Sequence, residues 1–363
     1  MIKVISVVST LSSAGPTNQL FNIIKNLDRS VFEPILITLS PEPKYSKWKD
    51  YESLGIEMHS LNLSRLGGLF FGKSKLEKLI KEMQPDLIHT QGIRADSLLA
   101  SLGLKTPWVL TARNFPYEDY PSKFGRFRGE FMARKHVSVQ KGCVNVVACS
   151  KSIQQQLDSV GVKSVAIQNG VDLYVQDITG IANEIFEAPI FISVGSLIPR
   201  KNMRLIIEAF NLWKSKSSTP GSLVILGDGF ERETLEALRS DSVHFMGNVS
   251  NVADYLSYAD YFVSASLSEG LPNTVLEALA AGLPVILSDI PSHQEIDAEC
   301  NGASRIFKLS DGAPGLVDEF KNVLDNFDSS SRLDAKRIAN EVFSAEVMSR
   351  NYQNYYLKLL ENK

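Results

Sequence analysis

Two carboxylates, Glu269 and Glu277, bracket a turn inside the stretch 259–289, ADYFVSASLSEGLPNTVLEALAAGLPVILSD. The stretch reads as strand, loop, helix, strand. Residues 261–265 form a short apolar run bounded by polar residues, as a buried strand does. Pro272 suits a first helical position, and Gly282 followed by Pro284 closes the helix. Val285 to Leu287 begins the next strand. Between the acids, Gly270 to Thr274 is placed to present the N–H groups of a helix N-terminus, a natural site for a phosphate or pyrophosphate. A lone glutamate in a loop is usually solvated, and Glu277 reads equally as a surface helix residue. Yet Val275, Leu276, Ala278 and Leu279 around it are apolar, which fits a carboxylate held there for a partner.

A pair of cations stands at the mouth of another strand–loop–helix unit. Residues 189–195 read as a buried strand, 196–202 as a loop and 203–213 as a helix. Arg200 and Lys201 lie in that loop, where adjacent cations can neutralise a diphosphate. Solvated surface cations are the alternative; the position at a strand end favours binding. A strand at 222–227 ends in Gly227-Asp228-Gly229, a tight turn and a weak signal alone. After a strand at 243–247, the backbone of Asn248 and Val249 is placed to read a nucleobase edge.

The first half repeats the pattern. A strand at 2–9 leads through a small-residue loop into a helix at 18–27, with Leu20, Ile23, Ile24 and Leu27 on one face. Gly15 in that loop permits close approach of a ligand, or marks a plain turn. Strands follow at 34–39, 56–61, 86–90, 107–111, 144–149 and 165–168. Their alternation with helices predicts a parallel, doubly wound sheet, whose ligands bind beyond the C-terminal strand ends. Those ends hold His89, Gln91 and Arg113. His89 reads as a packed strand residue, whereas Arg113 can hold a carboxylate or phosphate through two parallel hydrogen bonds. Asn169-Gly170-Val171-Asp172 is a sharp turn, and 173–188 lacks periodicity, so the domain boundary is set there. Residues 306–309 read as the last strand. The final helix, about 345–360, carries Met348, Tyr352, Tyr355 and Leu359 along one side.

Length and composition agree with two domains. The chain has 363 residues, 44% hydrophobic and 22% charged, as in ordinary globular proteins. No apolar run is long enough to span a membrane, and MIKVISVVST reads as a strand, so no signal peptide is expected. Cys143, Cys149 and Cys300 lack metal-ligand spacing and suit a reducing compartment. Residues 1–172 carry 22 Lys and Arg against 15 Asp and Glu, a net +7, while the rest carry 16 against 26, a net −10. A basic first half suggests anionic company there. Residues 114–141 interleave Lys123, Arg126, Arg128, Arg134, Lys135 and Lys141 with Phe115, Tyr117, Tyr120, Phe124, Phe127 and Phe131. Leu66-Gly67-Gly68-Leu69-Phe70-Phe71, followed by Lys73, Lys75, Lys78 and Lys81, is a second stretch of that kind. Both suit contact with an anionic membrane surface, or helices packed by their aromatic faces. A pI near 6.0 and the lack of any nucleic-acid motif argue against a nucleic-acid partner.

The Glu-x7-Glu spacing within EGLPNTVLEALAAGLPVI closely resembles the signature of family-4 retaining glycosyltransferases, and the likeness extends more weakly over nearly the whole chain. It implies the α/β GT-B fold, two Rossmann-like doubly wound domains facing each other across a cleft. Residues 1–172 would bind the acceptor and 173–344 the nucleotide-sugar donor, with a helix at about 345–363 crossing back to the first domain. Glu269 would bond hydroxyls of the donor sugar, and Glu277 the ribose. Lys201, helped by Arg200, would neutralise the diphosphate, and the backbone of Gly270, Leu271, Asn273 and Thr274 would complete the anion site. Gly15 would approach the diphosphate. Gln91 and Arg113 would line the acceptor side, where the family commonly has histidines. Ser196 stands where the family often has an arginine.

The resemblance implies sugar transfer from a nucleotide diphosphate-sugar to a lipid-linked or surface-polysaccharide glycan, as in capsule or lipopolysaccharide synthesis. The expected setting is the cytoplasm, peripheral on the inner face of the membrane. No Asp-x-Asp occurs in the chain, so neither a metal nor another cofactor is expected. Nucleotide-sugar 2-epimerases share this architecture, and a non-catalytic nucleotide-sugar-binding subunit would keep the same donor site.

Overall fold

The computed structural model describes residues 1–173 and 186–361, the side chains of Arg65, Leu66 and Leu69 excepted. The chain divides into two compact units, residues 1–170 with 345–363, and residues 171–344. The boundary expected after Asp172 thus falls after Gly170, and most of the unpatterned stretch 173–188 lies outside the described residues.

Each unit is built on a parallel sheet. In the first unit β1 (Ile2–Val8), β2 (Phe32–Thr38), β3 (Glu57–Ser60), β4 (Leu87–Gln91), β5 (Trp108–Ala112), β6 (Asn145–Ala148) and β7 (Ser164–Ala166) take the order β3-β2-β1-β4-β5-β6-β7. In the second, β8 (Ile190–Val194), β9 (Ser222–Leu226), β10 (Val243–Gly247), β11 (Tyr261–Ser264), β12 (Val285–Ser288) and β13 (Ser304–Phe307) take the order β10-β9-β8-β11-β12-β13. Each expected strand forms, with its ends displaced by at most two residues.

Helices cover both faces of each sheet, which is why the strands are continuous apolar runs. In β1, Val4 packs on one face with Ile23 and Tyr352, while Ile5 and Val7 pack on the other with Leu76 and Ile80. In β8, Ile190 and Ile192 face one way and Phe191 faces the other, against Trp213 and Phe320. Strand order reverses between β1 and β4, and again between β8 and β11. In open sheets of this kind, ligands bind beyond the carboxyl ends at that reversal.

The first helix is Gly15–Lys25, earlier than expected. Pro16 lies in its first turn, where the missing N–H removes no helical bond. The helix Ala345–Glu361 belongs to the first unit although 174 residues of the second separate it from Gly170. Its buried side is Ala345, Met348, Ser349, Tyr352 and Tyr356, so Tyr356 takes the place expected for Tyr355, which is half-buried like Leu359. Ser349 Oγ donates to Ile23 O at 2.8 Å. The Tyr356 hydroxyl lies 2.7 Å from His89 Nδ1, and His89 Nε2 lies 2.7 Å from Thr111 Oγ1. Burial and then the Arg113 charge lower the His89 imidazole to about 3, so it is a neutral, packed residue.

Residues 114–141 form two helices, Pro116–Phe124 and Arg126–Gly142. Phe115, Tyr117 and Tyr120 are packed or buried, whereas Phe124, Phe127 and Phe131 are exposed. Cys143 and Cys149 are buried and Cys300 is half-buried; burial raises the Cys143 and Cys300 thiols to about 12. Among the described residues no helix is long and apolar enough to cross a membrane.

Candidate active site

The loops leaving β8, β9 and β11 build a charged site at the strand-order reversal of the second unit. After β8 the chain passes through Gly195–Ile198 into a 3-10 turn, Pro199–Lys201. Asn202 follows with a left-handed φ of 52° and opens the helix Met203–Lys216. The β9 loop lies directly on this turn. A Cβ on Gly227 would fall 2.0 Å from Gly195 O, and one on Gly229 would fall 2.3 Å from Leu197 O. Both positions therefore need glycine for close backbone approach. The carbonyl of Asp228 accepts from Leu197 N at 3.0 Å, which sets the height of the turn that carries Arg200 and Lys201.

The β11 loop meets the same turn. Leu267 N donates to Arg200 O at 2.8 Å, and Arg200 Nη1 donates to Ser268 O at 2.6 Å. Glu269 receives Arg200 Nη1 at 2.7 Å, Lys201 Nζ at 2.5 Å and Ser266 Oγ at 2.9 Å. Burial alone would raise the Glu269 carboxyl. The Lys201 and Arg200 charges, with their hydrogen bonds, outweigh it and hold the carboxyl down to about 2. Side-chain exposures of 22%, 14% and 9% for Arg200, Lys201 and Glu269 make this a partly desolvated cluster, where charge interactions exceed those of an open surface pair.

Sequence reasoning missed the support beneath it. His293 is fully buried, with Nδ1 3.0 Å from both Ser288 O and Ser288 Oγ. A carbonyl can only accept, so Nδ1 carries the proton and Nε2 faces Ser264 Oγ at 3.4 Å. Burial lowers the imidazole to about 4, although the nearby Glu269 charge opposes this. Ser288 Oγ also donates to Ser266 O at 2.7 Å, tying the β12 exit to the residue that holds Glu269. The available signal was small: serines at 264, 266 and 288, at consecutive strand ends, and a lone histidine just after.

Pro272 is the N-cap of the helix Asn273–Ala280 and not its first residue. Its φ of −74° suits a proline ring, but its ψ of 107° is still extended. The first turn contains no acid and no capping side chain, so the positive end of the helix dipole is not countered within it. Val275, Leu276, Ala278, Leu279 and Ala280 are buried, leaving Asn273, Thr274 and Glu277 on the open side of the helix. Leu271 is buried in the core and anchors the loop, while Gly270 is half-exposed. Beyond β10, Asn248 is exposed and Val249 packs partly against the core.

The first unit brings its candidates together at the corresponding place. Gln91, at the end of β4, donates to Pro16 O at 3.1 Å, next to the exposed Gly15 at the start of the first helix. Arg113, just beyond β5, donates from Nε to Gln91 Oε1 at 3.1 Å and from Nη1 to Asn169 Oδ1 at 2.8 Å. Its Nη2 is buried and has no hydrogen-bond partner among the described residues. Asn169, read from the sequence only as a turn residue, is the second support of this guanidinium.

Two family models match, one described as Glycosyltransferase Family 4 over residues 14–174 and one as Glycosyl transferases group 1 over 188–326. The chain belongs to these group 1, family 4 glycosyltransferases. The fold of this glycosyltransferase is GT-B. It superposes at a TM-score of 0.79 on the crystal structure of Anabaena Alr3699/HepE in complex with UDP and glucose, covering 99% of this chain and 100% of that one at 16% identity. An uncharacterized glycosyltransferase of Methanocaldococcus jannaschii is 27% identical over 59% of this chain and 58% of its own length. The capsular polysaccharide biosynthesis glycosyltransferase CapH of Staphylococcus aureus is 24% identical over 82% of this chain and 84% of that one.

Proposed function

We propose that this glycosyltransferase is retaining and metal-independent, moving a sugar from a nucleoside diphosphate sugar to a glycan that is lipid-linked or part of a surface polysaccharide. The observation that carries the reading is the convergence of Arg200, Lys201 and Glu269 at the strand-order reversal of the second unit, next to a helix N-terminus. Breaking the anomeric C–O bond leaves negative charge on the diphosphate and positive charge on the sugar ring. Lys201 and Arg200, held at fixed height by Glu269 and the loop backbone, stabilise that departing charge without reorganising. The dipole of the helix beginning at Asn273–Thr274 adds to them.

Glu269 bonds the sugar hydroxyls, and Glu277 receives the ribose hydroxyls. The acceptor hydroxyl attacks the face the diphosphate leaves, and its proton passes to a leaving diphosphate oxygen. Gln91 and Arg113 meet the acceptor, and Asn248 and Val249 lie towards the base. The likeness to CapH supports a surface-polysaccharide product. Work on such an acceptor places the enzyme on the inner face of the cell membrane, where the net +7 of residues 1–172 favours anionic lipid.

Thermal-shift measurements with ADP, GDP, UDP and their glucose conjugates test the reading. A ligand at 100 times its Kd stabilises the folded state by about 2.7 kcal/mol. One nucleotide series is expected to raise Tm, with release of the free nucleoside diphosphate only when a glycan acceptor is added. Release of a 2-epimer from the donor alone would point to an isomerase, and no stabilisation by any series would refute the donor site.

A further inference from the structure

The two basic, aromatic stretches of the first unit come together around one cavity. It measures about 390 Å³ and lies beyond the carboxyl ends of β2, β3 and β4, between the helices Arg65–Met83, Ile93–Ala100 and Arg126–Gly142. That is within the roughly 300–1,000 Å³ of ordinary small-molecule sites. Leu39, Leu63, Ile93 and Leu98 give it an apolar lining, while Lys73, Arg94 and Lys135 bring positive charge to it.

Each cation is placed by its own element. Arg94 donates to Ser40 Oγ, and to Leu63 O at 3.2 Å and Ser64 O at 3.3 Å, the carbonyls just beyond β3. Gly68 makes room for it, since a Cβ there would fall 2.4 Å from Arg94 Nη2. Lys73 and Lys135 are exposed and form no ion pair among the described residues. Ser97 Oγ, also in the lining, is buried without a hydrogen-bond partner among the described residues.

The surroundings are apolar and open. Phe127, Phe131 and Lys135 are spaced by four along one helix, so they share a stripe that ends at the cavity. Phe127 is 91% exposed and Phe131 71%. On the opposite wall Phe70 and Phe71 are 78% and 60% exposed, beside Gly68, Gly72 and Lys73. Leu66 and Leu69 belong to the same stretch, but their side chains lie outside the described ones. Exposed aromatics rimmed by Lys and Arg favour the boundary of a bilayer.

We propose that this cavity binds the phosphate end of a single-chain lipid, so that the anchor of the acceptor is seated here. Lys73, Arg94 and Lys135 take the phosphate, and the first carbons of the chain lie against Leu39, Leu63 and Leu98. The cavity is too small for a long chain, so the remainder runs out past Phe127 and Phe131 into the membrane. The proposal rests on the glycosyl-transfer reading for its meaning, but its binding chemistry is independent of the donor site.

Calorimetric titration with farnesyl monophosphate, farnesol and inorganic phosphate tests it on the full chain. Farnesyl monophosphate is expected to bind at least tenfold more tightly than either farnesol or phosphate. The Lys73→Gln, Lys135→Gln double variant is expected to weaken it on the order of 25-fold, about fivefold for each cation removed near an anionic group. Its Tm and its nucleotide binding are expected to stay unchanged, because both lysines are exposed. Unchanged affinity in the variant, or equal binding of farnesol, would overturn the site. Equal displacement by phosphatidylglycerol vesicles, at the same lipid phosphate concentration, would assign the cations to general bilayer contact and overturn it too. A protein that binds farnesyl monophosphate but transfers no sugar would keep this site and remove the proposed function.

Discussion

The same place in two similar sheets is filled by two different electrostatic devices. Between β8 and β11, cations and a carboxylate are paired, and the pairing depresses the acid to about 2. Between β1 and β4, extending to β5, a guanidinium is held by the amide side chains of Gln91 and Asn169, with Nη2 unpartnered among the described residues. The paired cluster is tied together before any ligand arrives, and its two cations against one carboxylate leave a net charge of +1. The amide-held arginine keeps its charge available. The diphosphate proposed for it, one constant chemical group, would suit the first device. The glycan proposed for the first unit would suit the second, where no ion pair takes up the guanidinium charge.

Breaking the paired cluster should have the largest effect. Glu269→Ala leaves Lys201 and Arg200 partly buried without their acid. Removing one partner of such a pair costs about 3 kcal/mol or more in stability. Chemical denaturation should show that loss, and transfer should disappear. Lys201→Gln should retain more stability but lower kcat by roughly 10²–10³, as expected for loss of one preorganised charge donor. Steady-state kinetics would check this.

Acid stability separates the support from the cluster. His293 has a folded value near 4, below its unfolded value near 6.5, so the unfolded chain binds the proton first. Its contribution is therefore complete above pH 6.5 and is lost as pH falls towards 4, amounting to about 3 kcal/mol at 1.36 kcal/mol per pKa unit. Glu269 is depressed, so its contribution is complete above the unfolded value near 4.5 and is lost progressively as pH falls from there towards 2. In His293→Asn the stability loss between pH 6.5 and 4 should shrink, read by urea midpoints across that range. His89, near 3, supplies a similar dependence in the first unit and should remain.

The smallest effect is expected at the amide-held arginine. Arg113→Gln removes hydrogen bonds to neutral groups and leaves no carboxylate stranded. A change of about 1 kcal/mol is expected, against the larger loss for Glu269→Ala. A large stability loss in Arg113→Gln would erase the contrast between the two devices.

Much of the architecture was legible because it follows from local pattern. Buried parallel strands are continuous apolar runs, and the strand at 261–264 could be read from YFVS alone. The Glu269 loop was legible for a similar reason, since its acids and the helix start lie within a dozen residues. What could not be read was the partner of each charge. Arg200 and Lys201 meet Glu269 across 68 or 69 residues of sequence, and only the order of β8 and β11 brings them together. His293 was missed because the fold, not its neighbours in sequence, encloses it. Tyr355 and Tyr356 were exchanged because a one-residue rotation around a helix changes which of two tyrosines is buried. The cavity beside Lys73 and Lys135 was hidden for the same reason as the ion pairs, since its walls come from stretches some sixty residues apart.

The central claim is that the paired cluster of the second unit is a diphosphate site. Calorimetric titration of the wild-type protein and Lys201→Gln with ADP, GDP and UDP tests it most directly. One nucleoside diphosphate is expected to bind the wild type and to lose at least tenfold in affinity in the variant. Equal affinity in both proteins would contradict the account.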